Sequence, residues 1–267
     1  MHSIILYTVV FVFGSIVGSF LNVCIYRIPR NISIIIPSSR CPSCNTPIRP
    51  WENIPILSYI FLGGRCRACK ATISFRYPLV EFLNAALYVL VVWRFGFEWH
   101  ALVYFIFCSA LIVVTFIDLD FQIIPDRITL PGIPLGIIFG SFLLLDPFMR
   151  HLSLGIKSSF IGAFIGFGFY YLVAEAGYRI LKKEAMGGGD IKLMTMIGGF
   201  LGWKGVILTT FLGSLSGAII GVLLMLIKGR EWGSKIPFGP YLALGAFMTL
   251  FFGQEIFYWY LSGQIAI

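Results

Sequence analysis

The chain has 267 residues, of which 58% are hydrophobic and only 12% charged, and its mean hydropathy is +0.89. A soluble domain carries about 25% charged residues, so this composition excludes an ordinary soluble protein and points to an integral membrane protein. The net charge of +8 and the pI near 9.3 would suit nucleic acid. The basic residues, however, gather in loops between apolar segments, where membrane topology and anionic lipid account for them, and no nucleic-acid partner is expected.

From Ile4 to Tyr26 the sequence is apolar and uncharged, long enough to cross a hydrocarbon core of about 30 Å. It lacks the basic n-region and cleavage site of a signal peptide and is read as a retained anchor. Further apolar segments fall at 78–94, 99–117, 128–145, 156–178, 191–203, 205–227 and 239–261. The expected fold is an all-α polytopic membrane protein with about eight transmembrane helices. The sixth segment is short, and both a tilted span and a re-entrant stretch are open for it. Small residues at helical spacing, Gly162-Ala163 to Gly166 to Gly168 and Gly213 to Gly217 to Gly221, predict close helix packing in lipid.

The loop between the first two spans carries Arg27, Arg30, Arg40, Arg49, Arg65, Arg67, Lys70 and Arg76 against a single acid, Glu52, which assigns it to the cytoplasm. Arg179, Lys182 and Lys183, then Lys228, Arg230 and Lys235, agree. Threading eight spans puts both termini outside and Asp118, Asp120, Asp126 and Asp190 at the cytoplasmic face. Three parts are expected: a first helix over 1–26, a cytoplasmic cysteine domain over 27–77, and a membrane domain over 78–267.

Within the cysteine domain, Cys41, Cys44, Cys66 and Cys69 form C-x2-C-x21-C-x2-C. Four thiolates at this spacing enclose one tetrahedral zinc, which would supply folding energy to a module too small for its own core. A reducing cytoplasm favours metal over disulfides, and a closed four-sulfur shell leaves no open position, so the zinc is expected to be structural. Cys24 and Cys108 lie inside spans and read as packing residues. The stretch Pro50-Trp51-Glu52-Asn53-Ile54-Pro55 with Leu57-Ser58-Tyr59 is too apolar for a linker. It either packs on the zinc module or lies along the bilayer.

Two acidic clusters remain, Asp118-Leu119-Asp120 with Pro125-Asp126, and Gly187-Gly188-Gly189-Asp190. Ionisable residues at a membrane face are costly to desolvate and read as functional. Pro125 suits a helix start, and Asp126 is also suited to capping it; Asp190 is suited to capping the sixth span. The three glycines permit unusual torsions and close approach of another chain. A P-loop is excluded because no strand precedes the run and no Lys-Ser/Thr pair follows. Two carboxyls within reach of each other hold one proton between them, one activating water and the other polarising a carbonyl, which is the chemistry of aspartic peptide hydrolysis. His2, His100 and His151 fall at the opposite face, so no serine triad competes well and a histidine-held catalytic metal is disfavoured, while an all-carboxylate metal site stays open.

With these residues in place, the chain resembles the type IV prepilin leader peptidases, bifunctional aspartic peptidases and N-methyltransferases of bacterial pilus, type II secretion and competence systems. The motifs are Gly18-Ser19-Phe20-Leu21-Asn22-Val23, Arg27-Ile28-Pro29, the paired CxxC knuckles, Ile73 to Glu81, Phe116-Ile117-Asp118-Leu119-Asp120, Ile124-Pro125-Asp126, the GxGD element Gly187 to Asp190, and Pro237-Phe238-Gly239-Pro240. The resemblance implies that Asp126 and Asp190 are the catalytic pair, with Asp118, Asp120, Gly187 and Gly189 assisting. Asp190 also matches the GxGD aspartate of presenilin-like intramembrane proteases. The implied substrates are type IV pilin-like precursors whose apolar helix stays in lipid while a glycine-phenylalanine leader junction reaches the acids.

The implied location is the bacterial cytoplasmic (inner) membrane, with the active site facing the cytoplasm. S-adenosylmethionine is implied as methyl donor, with Glu52, Arg76 and Glu81 as region candidates; Glu81 paired with Arg76 or Arg27, and Asn22 as interhelical glue, are the plainer readings. A peptidase-only relative and an ion-coupled transporter or assembly scaffold are the rival functions.

Overall fold

In the computed structural model, residues 2–182, 186–228 and 237–265 are described. Lys183, Arg230 and Lys235, which enter the orientation argument, lie outside them. The chain is mostly helical and divides into two compact units, Met1–Val113 and Val114–Ile267, with the boundary inside one helix.

The first unit is built on α1 (His2–Arg27) and α3 (Arg76–Phe95), with the start of α4 (Trp99–Phe121). Gly18 lets α1 press against α3, since a Cβ there would stand 2.7 Å from the Glu81 Cα. Polar ties reinforce the apolar contact. Asn22 Nδ2 donates to the Tyr77 carbonyl at 3.0 Å, which is the interhelical glue expected of it. The fully buried Asn84 donates to Gly14 O at 2.7 Å and accepts from Ser109 Oγ at 2.9 Å, and Ser109 meets the Tyr88 hydroxyl at 3.0 Å. Such bonds are worth about 0.6–2 kcal/mol each in lipid. Cys24 and Cys108 are buried packing residues.

Between α1 and α3 lies the cysteine module, with a 3-10 turn at Pro50–Asn53 and a short α2 (Leu57–Phe61). Its second knuckle repeats the first bond for bond. The Cys41 amide donates to Thr46 O and the Cys66 amide to Ala71 O; the Asn45 and Lys70 amides return to the Cys41 and Cys66 carbonyls. Asn45 (φ 56°) and Lys70 (φ 59°) turn the chain in the left-handed region, and bridges Arg40–Pro47 and Arg65–Thr72 close the two turns. The 3-10 turn is tied to the second knuckle by the Arg67–Glu52 ion pair at 2.6 Å, while Trp51, Ile60 and Phe61 stay exposed.

The second unit holds α5 (Asp126–Phe142), a small hairpin of β1 (Leu145–Asp146) and β2 (Met149–Ser153), α6 (Gly155–Leu181), α7 (Gly188–Lys228) and α8 (Gly239–Ile265). The fourth span was expected to run to 145; instead α5 stops at Phe142 and the hairpin follows, held by Phe148 N donating to Asp146 Oδ1 at 2.8 Å.

The expected sixth and seventh spans are the two arms of α7. Gly202 breaks the helix with φ 72° and ψ 179°, and the arms run in opposite directions. Along the first arm, Gly189 meets Ile124, Met196 meets Gly132 and Phe200 meets Gly136, so it runs alongside α5 in the same sense. Along the second, Thr209 bonds Thr249 at 3.1 Å and Gly213 meets Leu242, so the chain comes back antiparallel to α8. The first arm, Gly188 to Leu201, is only about 21 Å long at 1.5 Å per residue, which is why its hydropathy run looked too short for a span. Among the described residues, six helices are long and apolar enough to cross a membrane, counting α7 once, and the 17-residue α5 is slightly shorter. Gly162 and Gly166 of α6 lie directly on the backbone of the first arm at Gly198 and Met194, the close packing that small-residue spacing predicts.

Candidate active site and metal centre

The C-terminal end of α4 and the N-terminal turns of α5, α7 and α8 meet at one end of the second unit. Asp118 is 5% exposed, and its Oδ2 accepts the Gly239 amide, at the first residue of α8, at 2.9 Å. The side chain of Ile124, in the α4–α5 loop, lies against both Gly189 and Gly239. A Cβ on Gly189 would sit 2.7 Å from Ile124 Cβ, whereas one on Gly188 would meet nothing within 4 Å. None of the three glycines takes a positive φ, and the chain is helical from Gly188. Gly189 is thus needed for close approach, and the unusual torsions expected of the run are not used.

The acids differ in their partners. Asp190 is the third residue of α7, and its backbone amide donates to Gly187 O at 3.1 Å. Its side chain lies within electrostatic reach of Asp118. Asp126 is the first residue of α5, but the cap position is Pro125 and Asp126 caps nothing. Both of its oxygens receive Lys192 Nζ, at 2.7 and 2.8 Å. Asp120 is exposed at the end of α4.

No hydrogen bond joins Asp126 to Asp190. Lys192 and Asp190 are two residues apart on one helix and so leave it on different sides, the lysine toward α5 and the aspartate toward α4. No three of these carboxylates gather at one point among the described residues. His151 lies in the β2 hairpin strand, beyond the far end of α5.

In the cysteine module, the four Sγ atoms of Cys41, Cys44, Cys66 and Cys69 lie within 4.8 Å of one another, with Cys41–Cys69 at 3.9 Å and Cys44–Cys66 at 4.0 Å. A tetrahedral zinc with sulfur ligands at about 2.3 Å spaces them about 3.8 Å apart, so the set fits that ion with small adjustments. The Thr46 hydroxyl, 3.2 Å from Cys44 Sγ, and the Thr46 amide bring the Cys44 thiol down to about 6. Backbone amides of Cys69 and Ala68 lower Cys66. Cys69 is drawn down by the Ala71 amide, but burial and the neighbouring sulfurs outweigh it and push the thiol up to about 11. Crowded thiols with divided protonation favour replacing protons by a cation.

The methyl-transfer candidates have internal partners. Glu52 takes Arg67 and the Arg49 amide at 3.2 Å. Glu81 pairs with neither Arg76 nor Arg27; it accepts the Ile56 amide at 2.7 Å, where Ile56 stands at φ 62° in a tight turn closed by Leu57 N to Pro55 O. Arg27 donates instead to Ser33 O and Pro37 O at 2.9 and 2.7 Å. Through these contacts the two carboxylates brace the module. Lys192 and Ile124 were not legible as site residues, since nothing in the sequence connects position 126 or 239 with them.

Residues 12–95 match the Bacterial Peptidase A24 N-terminal domain and residues 105–222 the Type IV leader peptidase family. The chain is 38% identical to the prepilin leader peptidase/N-methyltransferase of Pseudomonas aeruginosa, over 93% of this chain and 91% of that one. It is 38% identical to the protein of the same name from Aeromonas salmonicida, over 96% and 94% of the two chains, and 36% identical to that of Neisseria gonorrhoeae, over 89% and 87%. No solved structure matches it. Identity at this level over nearly the whole length, with both domains matched in order, means that the chain belongs to the type IV leader peptidase family.

Proposed function

We propose that this enzyme removes the leader of type IV pilin-like precursors at the cytoplasmic face of the bacterial inner membrane, with Asp126 and Asp190 as the reacting carboxyls. The observation that supports it is that Asp126 and Asp190 stand in the first turns of α5 and α7, with Asp118 at the end of α4 bonded to the first residue of α8, in a chain of apolar, membrane-length helices. A precursor whose apolar segment stays in lipid delivers its leader junction laterally to such a mouth.

Asp126 takes a proton from water while the water oxygen bonds to the scissile carbonyl carbon. Asp190 gives its proton to the carbonyl oxygen. The resulting diol then collapses: Asp190 takes back a proton from one hydroxyl, the C–N bond breaks, and the leaving nitrogen receives the proton held by Asp126. Acid and product amine leave both carboxyls as they began, with no acyl-enzyme.

Asp118 orients Asp190 from its place on the Gly239 amide. The cysteine module holds one zinc through Cys41, Cys44, Cys66 and Cys69, which ties its two knuckles together. Family membership adds N-methylation of the new amino terminus, with S-adenosylmethionine as donor. No step of that transfer is assigned to Glu52, Arg76 or Glu81.

The test is to incubate purified protein with a precursor peptide spanning a glycine-phenylalanine junction and to read intact mass. Leader loss that vanishes in Asp126→Asn and Asp190→Asn supports the assignment; cleavage at the original rate in either variant overturns it. A labelled methyl donor, run on the cleaved product, separates the bifunctional enzyme from a peptidase alone.

A further inference from the structure

We propose that Lys192 is a positioning residue of the peptidase site: its ammonium holds the Asp126 carboxylate by both oxygens and so designates Asp126, rather than Asp190, as the charged partner that accepts the proton from water. The inference rests on the peptidase reading above and deepens it.

The three acids at the mouth differ in what they accept. Asp118 receives the Gly239 amide, a neutral donor that accommodates a protonated or an ionised carboxyl, and no lysine or arginine bonds Asp190 among the described residues. Only Asp126 receives a full positive charge, at 2.7 and 2.8 Å from its two oxygens. An ammonium on both oxygens suits the anion, because a protonated carboxyl would turn one oxygen into a donor facing another donor.

On the elements around this pair, α4 ends with Asp118 and Asp120, α5 carries Arg127 in its first turn and α7 carries Asp190. The first turn of α8, Gly239-Pro240-Tyr241, adds none. Lys192 and Asp190 both lie in the first turns of α7 but leave it on different sides, so the ion pair fixes Asp126 to the helix that carries the proton donor. A lysine has the reach and the flexible stem to follow Asp126 as it turns toward a bound peptide, which a rigid contact would not allow.

Full-length protein in lipid nanodiscs, with the same precursor peptide, tests this through Lys192→Met, Lys192→Gln and Lys192→Arg beside Asp126→Asn and Asp190→Asn. The expected result is a loss in kcat of about 10- to 100-fold for Met and Gln with KM within about twofold, recovery in Arg, and an unchanged unfolding temperature, as misplacement of a reacting group gives. Wild-type kcat in Met and Gln, with both aspartate variants inactive, overturns the role of Lys192 and leaves the peptidase reading standing. So does a loss seen only in KM, or one that Arg does not restore and that follows a fall in unfolding temperature. Activity retained in the aspartate variants overturns the peptidase reading itself, and is distinguished by that.

Discussion

Replacing Gly239 with alanine reaches the site without replacing a titratable group. A Cβ at this position would stand 2.7 Å from Asp118 Oδ2, 3.3 Å from its Cγ and 3.3 Å from Ile124 Cδ1. To restore an ordinary 3.4 Å contact the oxygen must withdraw by roughly 0.7 Å, which stretches the 2.9 Å bond from the Gly239 amide to about 3.6 Å, past hydrogen-bond range. A carboxylate on a surface would swing aside at little cost. Asp118 is 5% exposed, with Ile124 wedged on the same side, so it has little room to do so. Losing a hydrogen bond to a charged group costs about 1.5–3 kcal/mol, and each 1.4 kcal/mol that falls on the transition state is about tenfold in rate. Gly239→Ala is therefore expected to lower kcat for leader cleavage by about tenfold or more and to lower the unfolding midpoint in detergent. Gly188→Ala, whose Cβ meets nothing within 4 Å, is the matched control. Wild-type turnover and stability in Gly239→Ala would refute the claim that this amide holds Asp118 in place.

Gly189→Ala should impair folding or activity through its clash with Ile124, while Gly188→Ala should be neutral or add up to about 1 kcal/mol of helix propensity; parallel unfolding curves decide it. Gly166→Val would push a side chain into the backbone at Met194 and should destabilise by about 1–3 kcal/mol, read from the loss of folded protein on heating. Zinc should be found at one ion per chain by elemental analysis, and Cys41→Ser or Cys69→Ser should release it. Because the Cys69 thiol, pushed up to about 11, is protonated at neutral pH and the bound ligand is the thiolate, zinc uptake should release protons, and affinity should fall as pH falls. Dye-monitored metal titrations at two pH values check the sign. Lys70→Gly should strengthen the second knuckle by about 1 kcal/mol by relieving a left-handed lysine, measured by the temperature of zinc release.

Composition and hydropathy made the polytopic helical fold legible, and ligand spacing made the cysteine centre legible, because both are local signals. The limits were equally physical. A span such as Gly188 to Leu201 is shorter than the hydrocarbon thickness, so no window statistic separates it from a re-entrant piece; its direction became visible only from partners on α5 and α6. Glu81 read as a helix-mouth acid in search of an arginine, but its partner is a backbone amide exposed by the turn at Ile56, and a backbone donor leaves no mark in sequence. Lys192 follows the GxGD element by two residues, yet its bond is to Asp126, and only the packing of α5 along the first arm of α7 brings them together.

Placing three acids at one end of a bundle of apolar helices raises an energetic question that the chain direction answers. Each isolated charge there costs several kcal/mol. The N-terminal ends of α5, α7 and α8 all point to this mouth, and each contributes the partial positive charge of its free amides. Asp118 is the exception in placement, since it ends α4, where the helix dipole is unfavourable to an anion. It is also the acid most deeply buried and the one bonded to the first amide of another helix, so α8 supplies what α4 cannot. The reversal at Gly202 has the same consequence: by folding α7 back on itself it allows the first arm to start at the mouth and α8 to start there again. A straight helix through position 202 would carry the chain away from the mouth and leave Gly239 on the far side. Gly202→Val, which disfavours φ near +72°, should therefore disturb Asp118 from a distance, with leader cleavage falling although no residue of the mouth is altered.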